Sequence, residues 1–443
     1  MFDPIALEVL LTPRKKVLVD APNQNLDVML RLRAHETSGQ EIKKTPLAIS
    51  IVIDRSGSMD GGKLDQAKRS ALDIIHRLQD HDLVSVISYD NTVEVHLELM
   101  PVPSARILIE HHLWGLHPRG GTNLHAGWLK GAEILAPESN GDHLCRVILL
   151  SDGQANTGIV CLDRICDQVT ELARVGISTT TVGIGLDFNE ELMTAMANAG
   201  QGNAWYGERV EDLQESFDSE MSYLSQLVFK EVEVIAHYAG RQLKMRNDYL
   251  SIKKNTWRIS GIALGSEKWV AFSMPMREVI DIQHDGSILE IELVVTDSHN
   301  RRHNLFAKLL DMPVVSTQAY LEAPEDELVA RRFQEVEMAD IQREARNLVR
   351  DGDWERVERM IIELEERSRN NPWVQESVKY LRKLMEDKDR ARLEKELVYA
   401  SRSMKNRSSG LEDNVRFSIS EESIKPAFLR KKTSQGRNSD SQS

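Results

Sequence analysis

From Pro46 to about Lys230 the chain repeats one pattern: an apolar run, a short polar loop, an amphipathic stretch. Strands buried on both faces need such runs, and the helices that cover them need one apolar stripe. Leu47-Ala48-Ile49-Ser50-Ile51-Val52-Ile53 is the first run, rich in β-branched residues, and a glycine-containing turn follows it. Beyond the turn, Leu64, Ala67, Ala71, Ile74, Ile75 and Leu78 recur at helical spacing. Leu83–Tyr89, Val147-Ile148-Leu149-Leu150 and Ile177–Gly183 read as further strands, Trp205-Tyr206 as part of the last, and Asn189-Glu190-Glu191-Leu192 as a helix start. The pattern predicts an α/β domain on an open, mostly parallel sheet.

The flanks keep a different period. In Leu30-Arg31-Leu32-Arg33-Ala34 and Ile288-Leu289-Glu290-Ile291-Glu292-Leu293 apolar and charged side chains alternate, the signature of antiparallel strands with one buried face. Neither piece alone would bury enough surface. Residues 1–45 and 231–316 are therefore expected to form one discontinuous β-sandwich, with the α/β domain of 46–230 inserted between its halves. From Pro324 onward helical spacing takes over. Val329–Arg350 reads as a helix, Gly352-Asp353 as its stop and the next start, and Asn370-Asn371-Pro372 as a second cap before Trp373–Leu397. A helical hairpin over 320–400 and a disordered Ser/Lys/Arg-containing tail over 401–443 complete the expected layout.

Composition narrows the function classes. The chain has 443 residues, with 56 Lys and Arg against 69 Asp and Glu, a net charge of −13. That balance opposes the counter-ion displacement on which nucleic-acid binding depends, and disfavours docking on anionic membranes. No stretch reaches the roughly 18 apolar residues of a spanning helix, so direct membrane insertion is not expected. Three cysteines, Cys145, Cys161 and Cys166, make no disulfide framework and fit a reducing compartment. With no leader-like layout at the N-terminus, a cytoplasmic location is expected.

Three short pieces carry the chemistry. Asp54-Arg55-Ser56-Gly57-Ser58 follows the first strand, Gly120-Gly121-Thr122-Asn123 opens a helix, and Ser151-Asp152-Gly153 follows Leu149-Leu150. In an open parallel sheet, loops leaving the C-terminal strand ends gather over one crevice. The donors Asp54, Ser56, Ser58, Thr122 and Asp152 are all oxygens, which select Mg2+, or Mn2+ or Ca2+, over zinc. Few carboxylates and several hydroxyls leave a coordination position that an Asp or Glu of a protein partner can fill.

This set, Asp54-x-Ser56-x-Ser58 with Thr122 and Asp152, resembles the metal-ion-dependent adhesion site of von Willebrand factor type A (VWA) domains. The resemblance runs from about Leu47 to about Gln226 and includes Val182-Gly183-Ile184-Gly185 and Gly202-Asn203-Ala204-Trp205-Tyr206. It looks closest to bacterial proteins similar to calcium-activated chloride channel subunits and inter-α-trypsin-inhibitor heavy chains. The resemblance implies a Rossmann-like fold, an intact metal site and non-enzymatic, divalent-metal-dependent protein binding. It also implies a scaffold in complex assembly, signalling or stress response beside an ATPase, kinase or phosphatase.

Rival readings exist for several residues. Gly57-Ser58-Met59-Asp60-Gly61-Gly62-Lys63 matches the phosphate-binding loop of NTPases, but Leu64 stands where a hydroxyl for Mg2+ belongs, and Asp60 adds repulsion. His111, His112, His117 and His125 could be read as zinc ligands, yet they fall in polar surroundings where solvated histidines are the rule. The C-terminal helices alone could serve as a metal-independent scaffold. Arg55, Arg119 and Asn123 are candidate partner contacts beside the ion, against the alternative of internal pairing. Thr433 and Ser434, just after Arg430-Lys431-Lys432, are candidate phosphorylation sites in the tail.

Overall fold

The computed structural model describes residues 5–36, 45–139, 143–185, 188–207, 217, 220–221, 223–283, 286–297, 301–368, 372–387, 389–406 and 408–410. Its chain divides into two compact units, residues 43–227 and a second built from the chain before and after them. The N-terminal strands are β1 (Ile5–Pro13), β2 (Leu18–Val19) and β3 (Asn25–Glu36).

Residues 43–227 hold a six-stranded sheet: β4 (Leu47–Asp54), β5 (Leu83–Tyr89), β6 (Val93–Pro101), β7 (Leu144–Ser151), β8 (Ile177–Ile184) and β9 (Gln201–Gly207). The strand order is β6-β5-β4-β7-β8-β9. All neighbours run parallel except β5 and β6. The α/β expectation is met. The antiparallel edge strand β6 is additional, although Val93-Glu94-Val95-His96-Leu97 does alternate.

Every residue of β4 is buried because helices cover both faces of the sheet. Ile49, Ile51 and Ile53 share a core with Leu64, Ala67, Ala71, Ile74 and Ile75 of α1 (Lys63–Arg77), and with Val102, Ala105 and Ile109 of α2 (Val102–Trp114). On the opposite face α3 (Leu124–Leu135) presses Gly131 onto Val52 and Ser50; a Cβ there would fall 2.7 Å from Val52 Cγ2. The helices α4 (Leu162–Arg174) and α5 (Glu190–Ala199) follow, the latter capped by Asn189, whose Oδ1 accepts the Leu192 N–H at 3.1 Å. The connections leave β4 toward β5 on one side, and the chain later returns to β7 on the other. The switch point therefore lies at the C-terminal end of β4.

The second unit contains β10 (Leu227–His237), β11 (Lys244–Met245), β12 (Leu250–Lys253), β13 (Thr256–Ala263), β14 (Ser266–Pro275), β15 (Ser287–Asp297), β16 (Arg302–Leu310) and β17 (Val314–Val315). Two antiparallel sheets, β1-β3-β14-β11 and β12-β13-β10-β15-β16, share one core of Leu30, Leu32, Phe272, Val234, Ile259 and Leu293. In register, Arg31 of β3 stands opposite Trp269 of β14.

The C-terminal region departs from a single hairpin. Helices span Thr317–Glu322, Glu327–Asp351, Trp354–Arg367, Pro372–Glu386 and Arg390–Asn406. The expected continuous helix through Leu397 breaks where the Asp387 and Asp389 amides bond back to the Lys383 and Leu384 carbonyls, at 2.9 and 3.0 Å. The first long helix lays Val329, Phe333 and Val336 on Met29, Trp269 and Ala271, the second face of the β3–β14 pair. The expected tail start at 401 is also corrected. The last helix runs to Asn406, and Ser408–Gly410 pairs with β14. The rest of that tail, with Thr433 and Ser434, lies outside the described residues.

Candidate functional site

The site begins at the end of β4. The pairing registers set Tyr89 of β5 opposite Asp54, and Leu150 of β7 opposite Ile53. Ser151, one residue further, reaches Asp54 from the other side. Asp54 is fully buried. Its Oδ1 accepts the Ser56 N–H at 2.8 Å, and its Oδ2 accepts the Ser151 hydroxyl at 2.6 Å, with the Tyr89 hydroxyl 3.1 Å away. Burial pushes the Asp54 carboxyl above its ordinary range; the Ser151 and Ser56 hydrogen bonds pull it down, and the charge of Asp152 pushes it up again. Burial likewise drives the Tyr89 phenol well up, so it stays protonated as a donor. Both of Asp54's oxygens are thus committed inside the fold, and it would support an ion from behind.

The other loops are stitched to this one. The Gly57 N–H donates to the Gly120 carbonyl at 3.1 Å, tying the first loop to the loop of Thr122. The Thr122 N–H donates to Asn156 Oδ1 at 2.8 Å, and its carbonyl accepts the Asn156 and Thr157 amides. Gly121 sits where these strands of loop cross: a Cβ would lie 2.5 Å from Asn91 Oδ1 and 2.9 Å from Asn156 Oδ1. Ser56 Oγ and Ser58 Oγ are 3.0 Å apart. Ser58 is exposed, whereas Ser56 and Thr122 are buried.

Asp152 carries the most informative atom. The side chain is fully buried, its Oδ1 accepts the Gln154 N–H at 3.3 Å, and its Oδ2 accepts no hydrogen bond at all. A buried carboxylate oxygen without a donor is costly unless a cation faces it. That oxygen, faced at 3.5 Å by the Lys63 ammonium but accepting no hydrogen bond, the paired serine hydroxyls and the anchored Thr122 are a donor set that fits a hard divalent cation. Among the described residues no group of three or more His, Cys, Asp or Glu could hold a metal. His125 Nε2 faces Gln168 Oε1, while His111 and His112 ride on α2.

Three proposed partner contacts prove to have internal work. Arg55 is 4% exposed; its Nε bonds Asp90 Oδ2 at 3.0 Å and its Nη1 pairs with Glu94 at 2.8 Å. It is a structural arginine, because Asp90 arrives beneath it from the β5–β6 turn. Arg119 is exposed but also bonds Asp90 Oδ2, at 2.7 Å. Burial would raise Asp90, yet the Arg119 and Thr92 hydrogen bonds and the Arg55 charge bring it down to about 2. Asn123 caps α3, accepting the Ala126 N–H at 3.3 Å.

The phosphate-loop reading meets similar obstacles. Asp60 Oδ1 occupies the Gly61 N–H at 2.8 Å, and Lys63 Nζ stands 3.5 Å from Asp152 Oδ2. The motifs include Ser151, and Tyr89-Asp90 is expected to flank the site; that Ser151 and Tyr89 hold the Asp54 carboxylate from either side follows only from strand order.

Gly127 of α3 supports Tyr89 from beneath: a Cβ would lie 2.4 Å from its ring. Helical Gly→Ala ordinarily gains up to about 1 kcal/mol. Here overpacking reverses the sign, and Gly127→Ala should lose about 1–3 kcal/mol in urea unfolding while disturbing Asp54 through Tyr89.

Residues 48–219 match the von Willebrand factor type A domain family. The chain is 25% identical over 278 residues to the uncharacterized protein sll0103 of Synechocystis, a match covering 61% of this chain and 60% of that one. Inter-alpha-trypsin inhibitor heavy chain H2 of Mesocricetus auratus is 28% identical over 193 residues, 42% of this chain and 20% of the relative. The chain thus spans less than two thirds of the first and about a fifth of the second. Among solved structures, a von Willebrand factor type A protein from Catenulispora acidiphila superposes with a TM-score of 0.64 at 18% identity, over 86% of this chain and 89% of that one. The ArnB paralog VWA2 from Sulfolobus acidocaldarius gives 0.58 at 17%, over 91% and 98%. At such identities the likeness is one of fold, and it extends beyond the α/β unit. Among the described residues no helix is long and apolar enough to cross a membrane. Residues 48–219 therefore match a von Willebrand factor type A domain, similar in sequence to part of inter-alpha-trypsin inhibitor heavy chain H2 and in fold to the Catenulispora acidiphila protein.

Proposed function

We propose that this protein is a divalent-metal-dependent protein-binding adaptor, and that a carboxylate of its partner completes the ion's coordination. The observation that carries the reading is the Asp152 Oδ2 atom, buried and without a hydrogen bond, on a loop stitched to those of Ser56, Ser58 and Thr122. Ser56, Ser58 and Thr122 would hold the ion through their hydroxyls, Asp152 directly or through water, and Asp54 from behind. When bound, the ion supplies the positive charge that draws in an acidic side chain. Mg2+ suits so hydroxyl-rich a set, with Mn2+ and Ca2+ as alternatives. Ser58, on the exposed side, would meet the partner first.

Action by binding, without turnover, belongs to the same proposal: the two serines have each other as hydrogen-bond partners where a nucleophile would need a base. An ATPase, kinase or phosphatase of one pathway is the class of partner that the VWA resemblance brings. Immobilised protein should capture its partner from extract in millimolar Mg2+ and release it in EDTA, and mass spectrometry of the eluate names it. Capture indifferent to EDTA would end the proposal.

A further inference from the structure

Lys63 is a charge that metal binding by these donors does not use, and it stands where a cation is needed. Its Nζ lies 3.5 Å from Asp152 Oδ2, the oxygen that accepts no hydrogen bond. The stem is laid against the end of β8: a Cβ on Gly185 would fall 3.0 Å from Lys63 Cε. Its position runs against the local field, since Lys63 is the first residue of α1, where the helix dipole disfavours a positive charge. The opposing attraction comes from Asp152, which lies within electrostatic reach of a second buried acid, Asp54. The lysine side chain is 22% exposed, so the ammonium has a way out to water while its stem keeps its packing.

We propose that Lys63 is a built-in counter-ion of the metal site: without metal its ammonium neutralises Asp152, and a divalent cation must displace it to bind. The inference rests on reading Asp54, Ser56, Ser58, Thr122 and Asp152 as a divalent-cation site, and it adds a set-point to that site. The ion-free fold keeps its buried acid paired, and the metal is held more weakly than the same donors would hold it alone. Capture of an acidic partner then follows the free Mg2+ concentration and is not permanently on.

The test is a calorimetric titration of the full chain with Mg2+, alongside thermal unfolding in EDTA. Lys63→Met should bind Mg2+ about tenfold more tightly, the gain expected when a competing state that holds nine tenths of the molecules is removed. In EDTA the same variant should melt below the wild type, and saturating Mg2+ should close that gap. Lys63→Arg, which keeps the charge, should bind like the wild type. Lys63→Gln gives the same readings should the Met variant fold poorly. If Ser56→Ala abolishes Mg2+ binding but Lys63→Met binds no tighter than wild type, the counter-ion role is overturned and the metal site stands. If neither the wild type nor any Lys63 variant binds Mg2+, the metal reading falls and takes this inference with it.

Discussion

Arg146→Met should cost about 3–5 kcal/mol of stability, because it leaves a buried carboxylate without its counter-charge. Glu220 is 1% exposed and Arg146 4%. Arg146 Nη1 pairs with Glu220 Oε1, which also accepts the Thr180 hydroxyl at 2.8 Å, while Oε2 accepts Asn203 Nδ2 at 2.6 Å and Trp205 Nε1 at 3.3 Å. Burial alone would raise the Glu220 carboxyl, but Arg146 and these hydrogen bonds hold it below its ordinary value. A depressed folded value contributes stability above the unfolded pKa, and that contribution is lost as pH falls through the folded one. Between pH 7 and 5 the wild type should therefore show no dependence from this group. In Arg146→Met burial prevails and the folded value rises, so the sign inverts and the variant should gain stability as pH falls from 7 to 5. Urea midpoints at both values check this. Arg146→Met/Glu220→Leu should recover only part of the loss, since it removes the unpaired charge but also takes away the acceptor of Thr180, Asn203 and Trp205. A single variant within about 1 kcal/mol of wild type would mean that Glu220 finds other partners.

Asp54→Asn should lower partner capture about 100-fold, roughly 2.7 kcal/mol, while sparing the fold. An asparagine can keep its oxygen toward the Ser56 N–H and turn its NH2 to the rotatable hydroxyls of Ser151 and Tyr89. Geometry survives and the charge does not. The repulsion between two buried acids is relieved as well, so the thermal midpoint in EDTA should stay within a few degrees of wild type. Near-UV circular dichroism confirms the fold, and capture in Mg2+ should match that of unaltered protein in EDTA. An Asp54→Asn protein that captures normally would show that the ion, if bound, does not govern binding.

What could be read from residues alone followed from periodicity and chain order. The run from Leu47 and the stripe from Leu64 to Leu78 identified a covered strand and its helix, since burial on a sheet dictates both patterns. The three loops could be placed because parallel strands send their C-terminal ends to one side. What lay beyond reach was strand order. Only the sequence β5-β4-β7 brings Tyr89 and Ser151 to flank Asp54; the chain places both near the site but not against that carboxylate. Arg55 illustrates the same limit. Inside a polar motif it reads as free to meet a partner, until the β5–β6 turn delivers Asp90 beneath it. Lys63 fits a phosphate-loop pattern, and only the fold turns it toward Asp152.

The pairing of β3 with β14 has a consequence for how the polypeptide is made. Arg31 must wait for Trp269 to emerge before the two can lie side by side. At about 5–20 residues per second a ribosome takes roughly 12–48 s over that interval. The stretch carrying β4 to β9 is complete well before then and can collapse on its own core. Meanwhile β1 and β3 have only each other, with one edge of β3 and both its apolar faces uncovered, a sticky surface for other nascent chains. Strands β1 and β3, made before the α/β stretch, are thus among the last to find their place, and recovery of native protein should depend more on synthesis rate and temperature than the strength of the finished sheets would indicate.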